Sequence, residues 1–237
     1  MAVIDDFLGE LKEHSKPAKS AGAARFFQAY PGGYGEGDQF WGLTVPEQRT
    51  ICNHYYKLLT LKDLDTLLQH EVHEVRLSAL MTLVKQYQKA KQQANKTQAK
   101  DLYLKRLEYV NNWDLVDCSA HYILGDWCLA HGHQVLVELA ESGHLWKQRV
   151  AMISTFAFIR GGDSHVCLQI ATLLLDHKHD LIHKAVGWML RELGNRNFGL
   201  EYDFLVKYYS KMPRTMLRYA IEKFDEEMRQ RFLKGSI

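Results

Sequence analysis

Apolar residues recur at three- and four-residue spacing along much of this chain, the period of amphipathic helices. Only four prolines interrupt the pattern: Pro17, Pro31, Pro46 and Pro213. Together these features predict an all-α fold. The first 70 residues read as short helices over about Val3–His14, Ala21–Tyr30, Pro46–Leu59 and Lys62–Gln69. Pro46 suits a first-turn position, and Glu47 follows it near the positive helix end. Between the second and third helices, residues 31–38 form a glycine-rich turn. It lacks the G-x-x-x-x-G-K-[ST] order of a phosphate-binding loop and has no strand before it, so it reads as a plain connector.

From residue 71 the chain falls into helix pairs of roughly 35 residues, the period of a solenoid of α-helical repeats. The tetratricopeptide signature is missing, and HEAT- or armadillo-like pairs fit better. The lysine-, glutamine- and alanine-rich stretch 85–100 ends one helix and begins the next. The expected architecture is one domain over 1–237, with N-terminal helices over 1–70 and repeat pairs over 71–237. It is a HEAT-like superhelix, an α-α solenoid with a concave basic groove.

Five segments can be superimposed, beginning at Val75, Val116, Gln148, His183 and Leu217. Their second positions read Arg76, Asp117, Arg149, Lys184 and Arg218, at intervals of 41, 32, 35 and 34. Stacked repeats align equivalent positions as a stripe, so four cations would run down one wall with a single carboxylate among them. A cationic row suggests a polyanion, and a lone acid within it suggests chemistry performed there.

Composition adds little except in one respect. With 46% hydrophobic and 24% charged residues the chain resembles an ordinary soluble protein. The net charge of +2 hides an asymmetry: residues 1–142 carry 15 Lys and Arg against 18 Asp and Glu, and residues 143–237 carry 15 against 10. A basic excess this modest matters for nucleic acid only if it gathers on one face. No secretory signal or run of about 18 apolar residues is visible, so the expected location is cytoplasmic, nucleoid-associated when bound to DNA, with no membrane partner. Cys52, Cys118, Cys128 and Cys167 are scattered without a C-x-x-C pair, which fits buried thiols in a reducing compartment.

Trp113 and Asp117 are four residues apart and share a helix face, and Asp114 lies near it. Trp188 stands four residues past Lys184. Indole faces attract cations and stack on flat rings. A carboxylate can stabilise an oxocarbenium-like sugar or place a water against it. An arginine fork can hold a phosphate. Together such groups suit hydrolysis of a glycosidic bond in a nucleotide whose base already carries positive charge. Taken singly, the tryptophans also fit a helical core, Asp117 fits a structural ion pair with Arg149, and the other cations fit a solvated surface.

The motifs Asn-Trp-Asp-Leu-Val-Asp (112–117), Leu-Trp-Lys-Gln-Arg (145–149), His-Lys-Ala-Val-Gly-Trp-Met-Leu-Arg-Glu (183–192) and Met-Pro-Arg-Thr-Met-Leu-Arg-Tyr-Ala (212–220) resemble the AlkD-like DNA alkylation-repair family. Gly-Asp-Gln-Phe-Trp-Gly-Leu-Thr-Val-Pro-Glu-Gln-Arg (37–49) agrees upstream, so the resemblance spans nearly the whole chain. It implies a HEAT-like superhelix and a DNA glycosylase that excises cationic N3- and N7-alkylated purines from duplex DNA without deep base flipping. It implies Asp117 as the catalytic carboxylate, Trp113 and Trp188 as aromatic contacts, and Arg149 on the adjacent backbone. Arg76, Lys184, Arg191, Arg214 and Arg218 complete the expected DNA-binding set. The chain departs from the family at Asn112, where an aromatic is common, and at Phe26 or Phe27, where a tyrosine is common.

The expected enzyme is a monomer that needs no cofactor and no metal. His177, His179 and His183 include the i,i+4 spacing of a helical zinc pair. They lack an H-E-x-x-H arrangement and an adjacent cysteine, so helix capping or a phosphate contact fits them better. Two rival readings remain: a non-catalytic helical-repeat protein that binds branched or distorted DNA, and a protein–protein scaffold.

Overall fold

A computed structural model describes residues 2–237, and among them the fold is all-α, a helical-repeat arrangement with one isolated bridge between Gln39 and Val72. The chain forms two compact units, one ending at Ile123 and the other spanning Leu124–Ile237. The passage between them falls within a π-helical stretch, His121–Gly125.

The first unit holds α1 (Val3–Glu13), α2 (Pro17–Phe26), α3 (Val45–Tyr55), α4 (Leu61–Leu67), α5 (His73–Lys89), α6 (Gln93–Lys105) and α7 (Trp113–Asp117). Helix α5 is its axis, packed by α3, α4, α6 and α7. Val75, Ala79, Leu80 and Leu83 of α5 are fully buried. Burying each of the larger side chains contributes roughly 1.5–3 kcal/mol. Helix starts are set locally: the Asp63 amide donates to Thr60 Oγ1 (3.2 Å) and the Thr60 amide donates to Asp63 Oδ2 (2.8 Å), a reciprocal cap on α4. Helix α2 begins at Pro17, four residues before the expected Ala21, because Pro17 takes a first-turn position. It stops at Phe26 because Gln28 adopts φ 51°, so Tyr30 lies beyond the helix.

The second unit holds α8 (Asp126–His131), α9 (Gln134–Glu141), α10 (Leu145–Gly161), α11 (His165–Leu173), α12 (Asp180–Gly194), α13 (Phe198–Tyr208), α14 (Arg214–Ala220) and α15 (Glu226–Lys234). Helix α10 packs on α8, α9, α11 and α12, and α12 packs on α13 and α14. A Cβ at Gly187 would lie 2.5 Å from the Met216 carbonyl oxygen and 2.5 Å from Tyr219 Cβ. Contact between α12 and α14 at this separation therefore requires glycine. Among the described residues no helix is long and apolar enough to cross a membrane.

Candidate nucleic-acid interface and active site

Helix α7 carries both Trp113 and Asp117 on little more than one turn, and its start is tightly specified. Asn112 is fully buried; its Oδ1 accepts from the Trp113 amide (2.9 Å) and its Nδ2 donates to the Phe27 carbonyl (3.3 Å). A Cβ at Gly35 would sit 2.4 Å from that carbonyl oxygen and 2.9 Å from Asn112 Nδ2. The glycine-rich segment 31–38 is thus more than a connector: it is packed against the residue that starts α7.

The same segment ends in Asp38, the base of a buried ionic cluster that sequence reasoning missed. Asp38 Oδ2 faces His73 Nδ1 at 2.9 Å, and Asp114 Oδ2 faces His73 Nε2 at 2.8 Å. Arg76 Nη2 donates to Asp38 Oδ1 (2.7 Å), and Asn111 Nδ2 donates to the same oxygen (3.2 Å). Burial pushes Asp38 upward, but hydrogen bonding and charge from His73 and Arg76 hold its carboxyl below the usual range. Burial would likewise lower His73. Its bonds to Asp114 and Asp38, with their charges, outweigh that and raise it to about 9. The signal lay in the repeat register: the 41-residue interval that pairs Arg76 with Asp117 also pairs His73 with Asp114.

Asp117 is half-buried and, with Cys118 and Tyr122, lines a cleft of about 500 Å³. Arg49 and Asn53 of α3 and Lys85 and Lys89 of α5 also line it. Lys85 hydrogen-bonds Asn53 and lies 4.1 Å from the Tyr56 ring centroid. A carboxylate therefore stands in a recess whose other charged side chains are cations, a geometry that draws in an anionic ligand. Trp113 is half-buried, stacks on Phe27 at 5.4 Å and meets Phe26 edge-on at 5.6 Å. Phe26 is 64% exposed, so this aromatic group reaches the surface.

The expected cationic row needs correction at two positions. Arg76 is 3% exposed and is spent on Asp38, Asn111 and the carbonyls of His70, Glu71 and Tyr109. It is a joint inside the first unit and presents no guanidinium to a ligand. Arg149 is 4% exposed, and its Nη1 donates to the Leu181 carbonyl (2.6 Å), tying α10 to the first turn of α12. Its guanidinium is buried and is not presented on an open surface. Lys184 pairs with Asp180 at 2.6 Å, and Arg191 pairs with Glu222. Arg214 is exposed and donates to the Leu233 carbonyl (2.8 Å), and Arg218 is exposed. Trp188, half-buried on α12, donates from Nε1 to Glu192 Oε1 (3.0 Å).

The histidine-rich turn caps a helix. His179 Nδ1 accepts from the Leu181 amide (3.1 Å), His177 Nδ1 accepts from the His179 amide (3.0 Å), and His183 Nε2 bonds the His177 carbonyl (2.5 Å). Burial is the main reason that His177 and His179 titrate below the usual histidine value. Among the described residues no group of three potential ligands is placed to hold a metal ion.

With this geometry in place, the family model described as DNA alkylation repair enzyme matches residues 7–224. The chain belongs to that family. The match takes in α7, the Asp38–His73 cluster and α12, and the family assigns the protein a role in repair of alkylated DNA. The chain also resembles a solved structure from Enterococcus faecalis described as a predicted DNA alkylation repair enzyme. Identity is 15%, the alignment covers 90% of this chain and 98% of that one, and the TM-score is 0.69, a likeness of fold. Comparison with curated proteins gives no match.

Proposed function

We propose that the protein is a monofunctional DNA glycosylase that releases cationic N3- and N7-alkylated purines from duplex DNA. The observation that carries this reading is the Asp117 carboxylate in a recess lined by Arg49, Lys85 and Lys89, on the same short helix as Trp113. Cations hold backbone phosphates on either side of the lesion, and the carboxylate meets the sugar. The bond from C1′ to the purine nitrogen breaks, and its electron pair neutralises the cationic base, which departs without needing a proton. Asp117 stabilises the oxocarbenium-like sugar by charge, water adds at C1′ and loses a proton to solvent, and an abasic site remains. Because the leaving group is already charged, a half-exposed carboxylate suffices where neutral bases would demand a general acid and deep extrusion.

Trp113 is the aromatic contact in the first unit, and Trp188 is the second one that family likeness implies. Arg49, Lys85 and Lys89 replace the buried Arg76 as phosphate contacts, and Arg149 moves from a backbone contact to a positioning role under α12. The protein works as a monomer without a cofactor.

The test is release of free purines from N-methylated duplex DNA, read by chromatography, for the native protein and Asp117→Asn. Release by the native protein, falling at least about 10²-fold in the variant with DNA binding retained, is the expected outcome. An equally active variant overturns the mechanism. No release from either, with binding retained, replaces it with a non-catalytic DNA-binding role.

A further inference from the structure

We propose that His73 is a positioning residue for the Trp113 and Asp117 pair, acting through Asp114 on one side and through Phe27 on the other. This rests on the glycosylase reading for its activity measurement, but the clamp itself can be observed without it.

Helix α7 is only five residues long. Five residues cannot hold a helix by propensity, since nucleation of a single turn is unfavourable. Its direction must come from anchors. One is Asn112 at its start; the other is Asp114 in its first turn, whose Oδ1 accepts from the Leu115 amide (2.9 Å) and whose Oδ2 meets His73 Nε2. Asp114 and Asp117 are three apart, on adjacent turns of one face, so displacing the first displaces the second.

His73 is well suited to be the fixed end. It is the first residue of the 17-residue core helix α5 and is 1% exposed. Its ring lies 4.7 Å from Phe27 and 4.9 Å from Phe40, inclined by 28° and 25°. Phe27 in turn stacks on Trp113. One imidazole thus steadies both functional groups of α7: the carboxylate end through a hydrogen bond, and the indole through a stacked ring.

The chemistry also fixes the charge state. Both ring nitrogens face carboxylate oxygens, so each must carry a hydrogen, which is the imidazolium. A neutral ring would turn one lone pair toward a carboxylate. The charged and polar groups facing the ring are Asp38 from the segment before α3 and Asp114 from α7, with Arg76 one turn along α5 and Asn111 bridging to Asp38. Two carboxylates, the imidazolium and the guanidinium sum to zero, the condition for tolerating this much buried charge.

The experiment compares His73→Gln, Asp114→Ala and Asp114→Asn with the native protein. Single-turnover base release and affinity for the same N-methylated duplex are measured at a temperature where each variant is folded. The expected result is a fall in release of about 10- to 100-fold for His73→Gln and Asp114→Ala, the scale of a misplaced reacting group, with affinity changed less than about threefold. Asp114→Asn, which keeps an acceptor for Nε2, recovers part of the loss. In parallel, nitrogen NMR of the native protein should show the His73 ring doubly protonated at pH 7.

A folded His73→Gln protein that releases base at the native rate overturns the proposal, as does a single neutral tautomer in the spectrum. If His73→Gln fails to fold, the Asp114 pair and the spectrum still decide. If the native protein itself releases nothing, the glycosylase reading falls, while the spectrum still tests the clamp.

Discussion

Each unit of this protein buries a carboxyl group, and the two fare oppositely. Asp38 in the first unit meets His73, Arg76 and Asn111 and is held below the usual carboxylate range despite burial. Glu201 in the second unit is 3% exposed, and its Oε1 has no hydrogen-bond partner. Its other oxygen rests over Gly194, where any Cβ would strike it. Burial pushes this group up to about 8, with only Arg191 opposing it. Partners, more than depth, decide whether a buried acid is charged. The first unit uses its polar groups to fix α7, the helix with the candidate chemistry. The second unit keeps its acid largely neutral and holds α12 on α14 by close approach at Gly187.

Asp38→Ala should have the largest effect. Removing one carboxylate of the buried ionic cluster leaves Arg76 without its ion-pair partner and Asp114 alone against two cations, and should cost about 3–5 kcal/mol, read from urea unfolding. A cost below about 1 kcal/mol would mean that the cluster is solvated and that it does not specify α7.

Glu201→Gln should act in the other direction. The folded-state value of Glu201, about 8, lies above the ordinary 4.5. Its contribution is therefore fully present below about pH 4.5 and is lost as pH rises through about 8. The native protein should lose on the order of a few kcal/mol across that window from this group. The glutamine variant lacks this slope and should be more stable than the native protein at pH 9. Parallel pH profiles for the two proteins would show that Glu201 ionises freely.

Gly187→Ala tests how the second unit is held. The added methyl would meet the Met216 carbonyl and Tyr219 Cβ, so α12 and α14 must separate, at a cost of about 1–3 kcal/mol in thermal unfolding. An unchanged melting temperature would contradict the close approach.

The contrast also explains what was legible in the sequence. Helices α5, α10 and α12 follow from apolar spacing and repeat period, because burial against neighbours on both sides writes itself into residue order. The end of α2 does not, since the left-handed turn falls on Gln28, with no glycine to announce it. The pairing of Trp113 with Asp117 on one helix is readable from a four-residue interval. Exposure is not readable. Arg76 and Arg149 occupy the same repeat position as Lys184, yet the first two are buried, and they bond Asp38 and the Leu181 carbonyl, 38 and 32 residues away in the chain. A repeat register aligns backbones, and only the neighbouring loops decide which side chains are left facing solvent. The glycine-rich segment 31–38 looks like a plain connector for the same reason: its role lies in Asp38 and Gly35, whose partners are distant in sequence.

The smallest effect separates a cation that meets a ligand from one that meets the fold. Lys89 is exposed and lines the recess beside Asp117; Arg76, thirteen residues earlier on the same helix, is sealed inside. Lys89→Ala should leave stability within about 0.5 kcal/mol of native. Removing one phosphate-binding cation reduces the dependence of DNA affinity on salt by about one unit of log–log slope, so Lys89→Ala should lower that slope by roughly this amount. Arg76→Ala should instead destabilise the protein by about 3–5 kcal/mol and leave the slope of the folded fraction unchanged. If the two variants exchange these behaviours, the recess is not the path of the DNA backbone, and the buried cluster must open when DNA binds. If they behave as expected, two cations on one helix divide the work: one holds the helix that carries the acid, and the other holds the strand that the acid acts on.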